Sequence, residues 1–205
     1  MARLQRDFFE KPTLRVARDL LGKFIVRRYR TRLIAGMIID TEAYKGPRDR
    51  ASHAFNGRRT PRVEVLYGDP GLIYIHFVYG MHWLLNLTTG PKGLPEGVLI
   101  RGLAIRADSK VERVLGPARV TKYLNARRSL YGEDAVRSAR IWVEDRGIAV
   151  AAGDSNRGRR VGIEYAGPYW ASRLWRFQIK AHRLERYEQK LAEYGQRGIS
   201  SELGI

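Results

Sequence analysis

Leu33–Ile39 (LIAGMII) runs directly into Asp40–Arg62 (DTEAYKGPRDRASHAFNGRRTPR), and the join between them decides how the chain is read. A short apolar run bounded by polar and turn-forming residues predicts a buried strand. Glu42 then stands just past a strand end, a rigid position for a reactive side chain. In strand spacing Tyr44 shares its face. Gly46–Arg62 is long, polar and without periodicity, and such a loop in a compact domain points to function. It carries His53, with Arg48, Arg50, Arg58, Arg59 and Arg62 around it. A general-base carboxylate, a stacking face and phosphate-binding cations together suggest chemistry on a nucleotide base.

Outward from this join the chain reads as short alternating elements. Pro12 and Thr13 open a helix with Leu14, Ala17, Leu20 and Leu21 on one face, and Gly22 ends it. Lys23–Arg28 alternates as a strand, and Tyr29–Arg32 is a basic turn leading into Leu33. Beyond the loop, Val63–Tyr67 predicts one helical turn, closed by a tight turn at Gly68–Gly71. Gly71–Val78 and His82–Thr88 predict a β-hairpin with Tyr79 near its tip, where small polar residues are the rule. Gly90–Gly97 is a loop, and Val98–Ala104 a further strand carrying Arg101. Gly116–Asn125 reads as a helix. Ala139–Val143, Ile148–Ala151, Val161–Tyr165 and Trp175–Ile179 read as strands, with Ala152–Arg160 a polar, basic loop. Leu184–Tyr194 is a charged amphipathic helix, and Gly195–Ile205 is expected to fray. No repeat or linker interrupts the chain, so residues 1–205 are expected to form one domain.

The sequence carries 38 Lys and Arg against 21 Asp and Glu, a net charge of +17. So basic a balance favours a polyanionic partner, because each cation placed on a phosphate releases condensed counterions. No apolar run reaches the roughly 18 residues a membrane-spanning helix needs. The N-terminus leads into a charged helix, so no secretion signal is read there. The absence of cysteine excludes disulfides, thiolate-zinc sites and cysteine nucleophiles. The expected setting is a reducing cytoplasm, in contact with the nucleoid.

Each reactive side chain also has a plain structural reading. Most Glu residues are surface or salt-bridged, and Glu42 gains its functional reading only from its neighbours. Asp49 and His53, four apart, could join Glu42 in an oxygen/nitrogen metal site, although two ligands without a third are weak evidence. Tyr79 either caps its own hairpin or is a wedge that enters a base stack. Asn86 and Arg101 either satisfy a buried polar network or read a base edge and hold a water. Lys45 could attack a sugar as an amine, but a solvated or phosphate-contacting lysine is the commoner case. Arg119, Lys122, Arg127 and Arg128 form a second basic face.

Taken in order, Asp40–Pro47 (DTEAYKGP), His53, Arg59–Arg62 (RTPR), Val78–Met81 (VYGM), Asn86 and Val98–Arg101 (VLIR) closely resemble the alkyladenine (3-methyladenine) DNA glycosylase family. The resemblance runs from the first helix through Gly162–Phe177. It implies an α+β fold: a single mixed α/β domain around a curved, mainly antiparallel sheet flanked by helices, with a protruding hairpin. It also implies excision of alkylated and deaminated purines from DNA, without metal or cofactor; a monomer is the default expected of a base-flipping enzyme. Carried over by position, Glu42 resembles the general base that activates water, and Arg101 the arginine beside that water. Tyr44 resembles the aromatic floor under the flipped base, with His53 opposite. Asn86 resembles the side chain that screens purines, Tyr79 the intercalating residue, and Arg58, Arg59 and Arg62 are expected on phosphates. The competing readings are a non-catalytic nucleic-acid-binding module and a metal hydrolase using Asp49 and His53.

One position departs from the resemblance. His76 stands where the best-known members carry a second stacking tyrosine. An imidazole offers less π surface and ionises near neutrality. A shifted substrate preference is expected, such that His76→Tyr alters the ratio of hypoxanthine to alkylpurine excision.

Overall fold

The computed structural model describes residues 1–107 and 110–198. Its strands are β1 (Ala2–Arg3), β2 (Phe24–Tyr29), β3 (Arg32–Tyr44), β4 (Ile73–Val78), β5 (His82–Thr89), β6 (Glu96–Ala107), β7 (Lys110–Leu115), β8 (Ile141–Asp145), β9 (Ser155–Gly158) and β10 (Arg176–Ile179). Its helices are α1 (Arg6–Glu10), α2 (Thr13–Asp19), α3 (Pro117–Tyr123), α4 (Pro168–Ala171) and α5 (Ala181–Gly198).

The strands form one antiparallel sheet in the order β1-β8-β2-β3-β6-β5-β4. The long strands β3 and β6 lie side by side at its centre, and each changes its outer partner part-way along. β3 pairs with β2 through Met37 and then with β10 from Asp40. β6 pairs with β5 through Leu99 and then with β7 from Gly102. Both exchanges fall where the β3–β6 register itself shifts, between Ile38 and Thr41. Bulges bend a sheet and increase its twist, and here the sheet curls into a half-barrel, the curved antiparallel architecture expected from the sequence.

The core fills the sheet's covered side. α2 and its C-cap Leu20 bury Thr13, Val16, Ala17 and Leu20, the i, i+3, i+4, i+7 stripe of a helix lying on a sheet, while Leu14 is only half-buried. The Thr41 hydroxyl donates to the Ala17 carbonyl at 2.7 Å and ties that helix to β3. At Gly22, φ is +82° and a Cβ would stand 2.7 Å from the Ile148 carbonyl oxygen, so the end of α2 requires glycine. From α5, Leu184, Tyr187 and Leu191 close the same core.

Several expected boundaries move. β3 runs on to Tyr44, so Glu42 lies inside a strand rather than past its end, hydrogen-bonded by β6 on one side and β10 on the other. Ile148–Ala151 and Val161–Tyr165 are not strands. Ile148 is buried beside Gly22. The Val161 N–H is taken by a side chain and Gly162 has φ +74°, which breaks an extended ladder. The expected loop Ala152–Arg160 contains β9, paired with β10. β1, β7 and α4 are further elements the sequence pattern does not announce. α5 begins at Ala181 and continues past Tyr194 to Gly198, while the rest of the tail expected to fray, residues 199–205, lies outside the described residues. No helix among the described residues is long and apolar enough to cross a membrane.

Candidate active site

The site is built on one transverse row of the sheet. Tyr74 on β4 faces Asn86 on β5, Asn86 faces Leu99 on β6, Leu99 faces Glu42 on β3, and Glu42 faces Arg176 on β10. Cross-strand partners project to the same face, so five strands set these residues in a line. Over the row opens a cavity of about 350 Å³, lined by Tyr44, His53, Tyr74, His76, Asn86 and Arg101, with Tyr79, Val161 and Tyr165 among its further walls. That volume is at the small end of ligand pockets, roughly 300–1,000 Å³.

Glu42 is 0% exposed and lies just beneath the cavity, reached through three groups that line it. Its Oε1 accepts the Val161 N–H at 2.9 Å, and its Oε2 accepts the Tyr44 hydroxyl at 2.9 Å. Arg101 is looser, with Nε 3.4 Å from Oε1 and Nη1 3.5 Å from Oε2. Burial raises the Glu42 pKa above the ordinary carboxylate range, while the Arg101 charge, the Val161 N–H and the Tyr44 hydroxyl pull it back. Burial and the neighbouring Glu42 push the Tyr44 hydroxyl well above its usual value, so it stays a donor.

Arg101 owes its aim to the bulge. Thr41 faces Ile100 and Asp40 faces Gly102, which leaves Arg101 as the extra residue of β6. A Cβ at Gly102 would come within 3.0 Å of the Asp40 Cβ, so glycine lets the strands close again beyond the bulge. Asp40, on the same face as Glu42, is itself held by Arg176 at 3.0 and 2.7 Å and by Gln178 at 3.2 Å.

The opposite wall is imidazole. His53 Nδ1 lies 2.7 Å from the Tyr74 hydroxyl, and the His53 ring meets the His76 ring edge to face at 4.5 Å. His76 also stacks on Tyr74 at 4.8 Å. Burial lowers the His53 pKa to about 4, helped by Arg62 and Arg58. Burial, His53 and Arg62 lower that of His76 to about 3. Both rings are therefore neutral near pH 7. Asn86 Nδ2 donates to the Tyr74 carbonyl at 3.2 Å and faces His76 Nδ1 at 3.4 Å.

Asp49 and His53 do not form a ligand pair. Asp49 is fully buried in a bidentate ion pair with Arg160, at 2.5 and 2.9 Å, and accepts the Lys45 and Ala51 N–H groups. Among the described residues no three His, Asp or Glu side chains lie close enough together to hold a metal ion. Lys45 does not line the cavity; its ammonium stands 3.8 Å from Glu96.

At the rim, Tyr79 is 84% exposed at the tip of the β4–β5 hairpin, with positive φ at Tyr79 and Gly80. Arg62 donates to the Phe77 carbonyl at the base of that tip, and Arg59 is paired with Glu64 and lies over the Tyr67 ring. Sequence reasoning missed the Val161 N–H, Tyr74 as the His53 partner, and Arg160. Asp40 carries a readable signal, two residues before Glu42 on the same strand face.

An aromatic-lined cavity over a buried carboxylate, with Arg101 in its wall and an exposed tyrosine at its rim, on a basic chain, fits a hydrolase that works on a nucleobase. Comparison with known proteins agrees. The family model described as methylpurine-DNA glycosylase (MPG) matches residues 7–183. Three similar proteins each bear the name "Putative 3-methyladenine DNA glycosylase". The one from Clostridium perfringens strain 13 is 36% identical over 201 residues, covering 89% of this chain and 98% of its own. That from Desulfitobacterium hafniense is 36% identical, covering 88% and 96%. That from Methanocella arvoryzae is 40% identical, covering 86% and 92%. The chain belongs to the methylpurine-DNA glycosylase family, whose members are hydrolases of N-glycosyl bonds.

Proposed function

We propose that this protein excises damaged purines, of the 3-methyladenine, 7-methylguanine, hypoxanthine and ethenoadenine class, from duplex DNA and leaves an abasic site. Tyr79 wedges into the stack, Arg58, Arg59 and Arg62 hold phosphates, and the extruded base enters the cavity onto Tyr44. Opening a damaged pair costs a few kcal/mol, which these contacts offset. The protein acts as a single copy, without metal or cofactor.

The observation that carries the reading is the placement of Glu42. It is fully buried, yet each of its three polar partners lines the cavity. A carboxylate has about four acceptor sites, and only two are filled by close hydrogen bonds. The carboxylate thus retains capacity to accept a proton from a water admitted beside Arg101, whose contacts are the longest of the set. Burial makes it a stronger base than a free glutamate, and its charge opposes the positive sugar formed as the glycosidic bond breaks.

The test is single-turnover release of hypoxanthine and 3-methyladenine from duplex DNA with EDTA present. Glu42→Gln should slow release by about 10²–10⁴-fold while DNA binding persists. Equal release by both proteins would remove Glu42 from the mechanism. Binding without release by the wild type would favour a binding module. Loss of wild-type activity only in EDTA would favour a metal hydrolase.

A further inference from the structure

We infer that His53 and His76 act together as a two-donor wall for the departing base, selecting neutral purines with acceptors on the N7/O6 edge over cationic alkylated purines. The inference rests on the base-excision reading above and names the leaving group it favours.

The hydrogen bonds decide the tautomers. Tyr74 has no other acceptor for its hydroxyl proton among the described residues, and the Arg62 guanidinium beside it can only donate. The Tyr74 hydroxyl therefore donates to His53 Nδ1, and a neutral His53 carries its proton on Nε2. Asn86 offers its amide nitrogen both to the Tyr74 carbonyl and toward His76 Nδ1. The carbonyl can only accept, which fixes the amide's orientation, so His76 Nδ1 is also an acceptor and its proton too is on Nε2. Among the described residues no hydrogen bond is found at either Nε2; His53 is half-buried and His76 is 8% exposed. Both rings line the cavity and touch each other. Two uncharged N–H donors thus belong to rings that line the space a base would fill.

The consequence follows from where the electrons go. As the water oxygen bonds to C1′ and the C1′–N9 bond breaks, the bonding pair leaves on the purine, and the water's proton passes to Glu42. A neutral purine departs as an anion, which two hydrogen bonds stabilise before it takes a proton from solvent. A cationic alkylpurine departs as a neutral base, with no developing negative charge for them to meet. The histidines donate hydrogen bonds only, since a neutral imidazole does not release its N–H proton at neutral pH.

The experiment compares single-turnover excision of hypoxanthine and 7-methylguanine from matched duplexes, for wild type, His76→Phe and His76→Gln. His76→Phe keeps a ring and removes the donor. The ratio of hypoxanthine to 7-methylguanine excision should fall about 10- to 100-fold, the range for a hydrogen bond to a charged acceptor. His76→Gln, which keeps an N–H, should give an intermediate ratio. An unchanged ratio, including equal slowing of both bases as from a packing defect, would overturn the inference. A ratio as low in His76→Gln as in His76→Phe would do the same. Release of neither base by the wild type would instead overturn the excision reading, and this inference with it.

Discussion

His53 and His76 are imidazoles with no carboxylate against them, and their cost appears only when they charge. Their folded pKa values, about 4 and about 3, lie below the unfolded value near 6.5. Below pH 6.5 the unfolded chain takes up protons that the folded one refuses, so this contribution is full above 6.5 and is lost as pH falls toward 3. At pH 5 each group costs about 2 kcal/mol. His76→Phe should therefore lose less stability than wild type between pH 7.5 and 5, by about 2 kcal/mol in urea unfolding. Equal losses would mean His76 is protonated in the folded state. Glu42 has the opposite sign. Its raised pKa means the fold prefers the protonated form, so the ionised carboxylate weakens stability as pH rises through that pKa. Glu42→Gln mimics the protonated form that burial favours, keeping the side chain's shape while removing the base.

Arg160 ties three elements of the site together from behind. It pairs with Asp49 in the loop after β3, donates to the Ala43 carbonyl at 3.1 Å, and lies between the Tyr44 and Trp175 rings at 4.7 and 4.9 Å. Its neighbour Val161 supplies the N–H on Glu42. Breaking a buried pair on one side leaves an uncompensated charge, whereas replacing both partners with apolar residues can be nearly neutral. Asp49→Asn should cost about 3–5 kcal/mol in urea unfolding, and Asp49→Leu with Arg160→Met clearly less than the two single changes summed. Additive losses would argue against a pair acting as a unit. Such ties explain what was legible in the sequence. The hairpin under Tyr79, the helix ended by Gly22 and the shared face of Glu42 and Tyr44 follow from local spacing and turn chemistry, although the strand runs on past Ile39 and carries both residues inside it. The Arg160–Asp49 pair spans over a hundred residues, the Val161 donor is backbone without a side-chain signature, and the bulge that frees Arg101 depends on two strands meeting out of step. None of these has a period to read. Asp49 looked like a metal ligand because spacing shows neighbours along the chain, not the cation that folds against it.

At the scale of the whole molecule, the net charge of +17 becomes an argument only once it has a place. Two basic banks meet the exposed hairpin. Arg62 binds the carbonyl of Phe77 on β4, with Arg58 and Arg59 beside it in sequence. On the β5 side, Arg119, Lys122 and Arg127 line a shallow groove with Met81, His82 and Trp83. A duplex centred on Tyr79 would meet cations on both sides, one bank for each flank of the distorted step. The first bank is partly engaged already, since Arg59 is paired with Glu64 at 2.5 Å. The exposed cations of the second are set against no anion of the groove, so they should contribute more to counterion release. Removing one phosphate-binding cation lowers the slope of log K against log salt by about 0.9. Replacing Arg119, Lys122 and Arg127 together with Ala should thus reduce that slope by up to about 3. Affinity should weaken alike for damaged and undamaged duplexes, because phosphate contacts position without specifying. Arg59→Ala should change the slope by less than one full cation's share. An unchanged slope in the triple variant would make the second bank a merely solvated face and leave the duplex held from the Arg62 side alone.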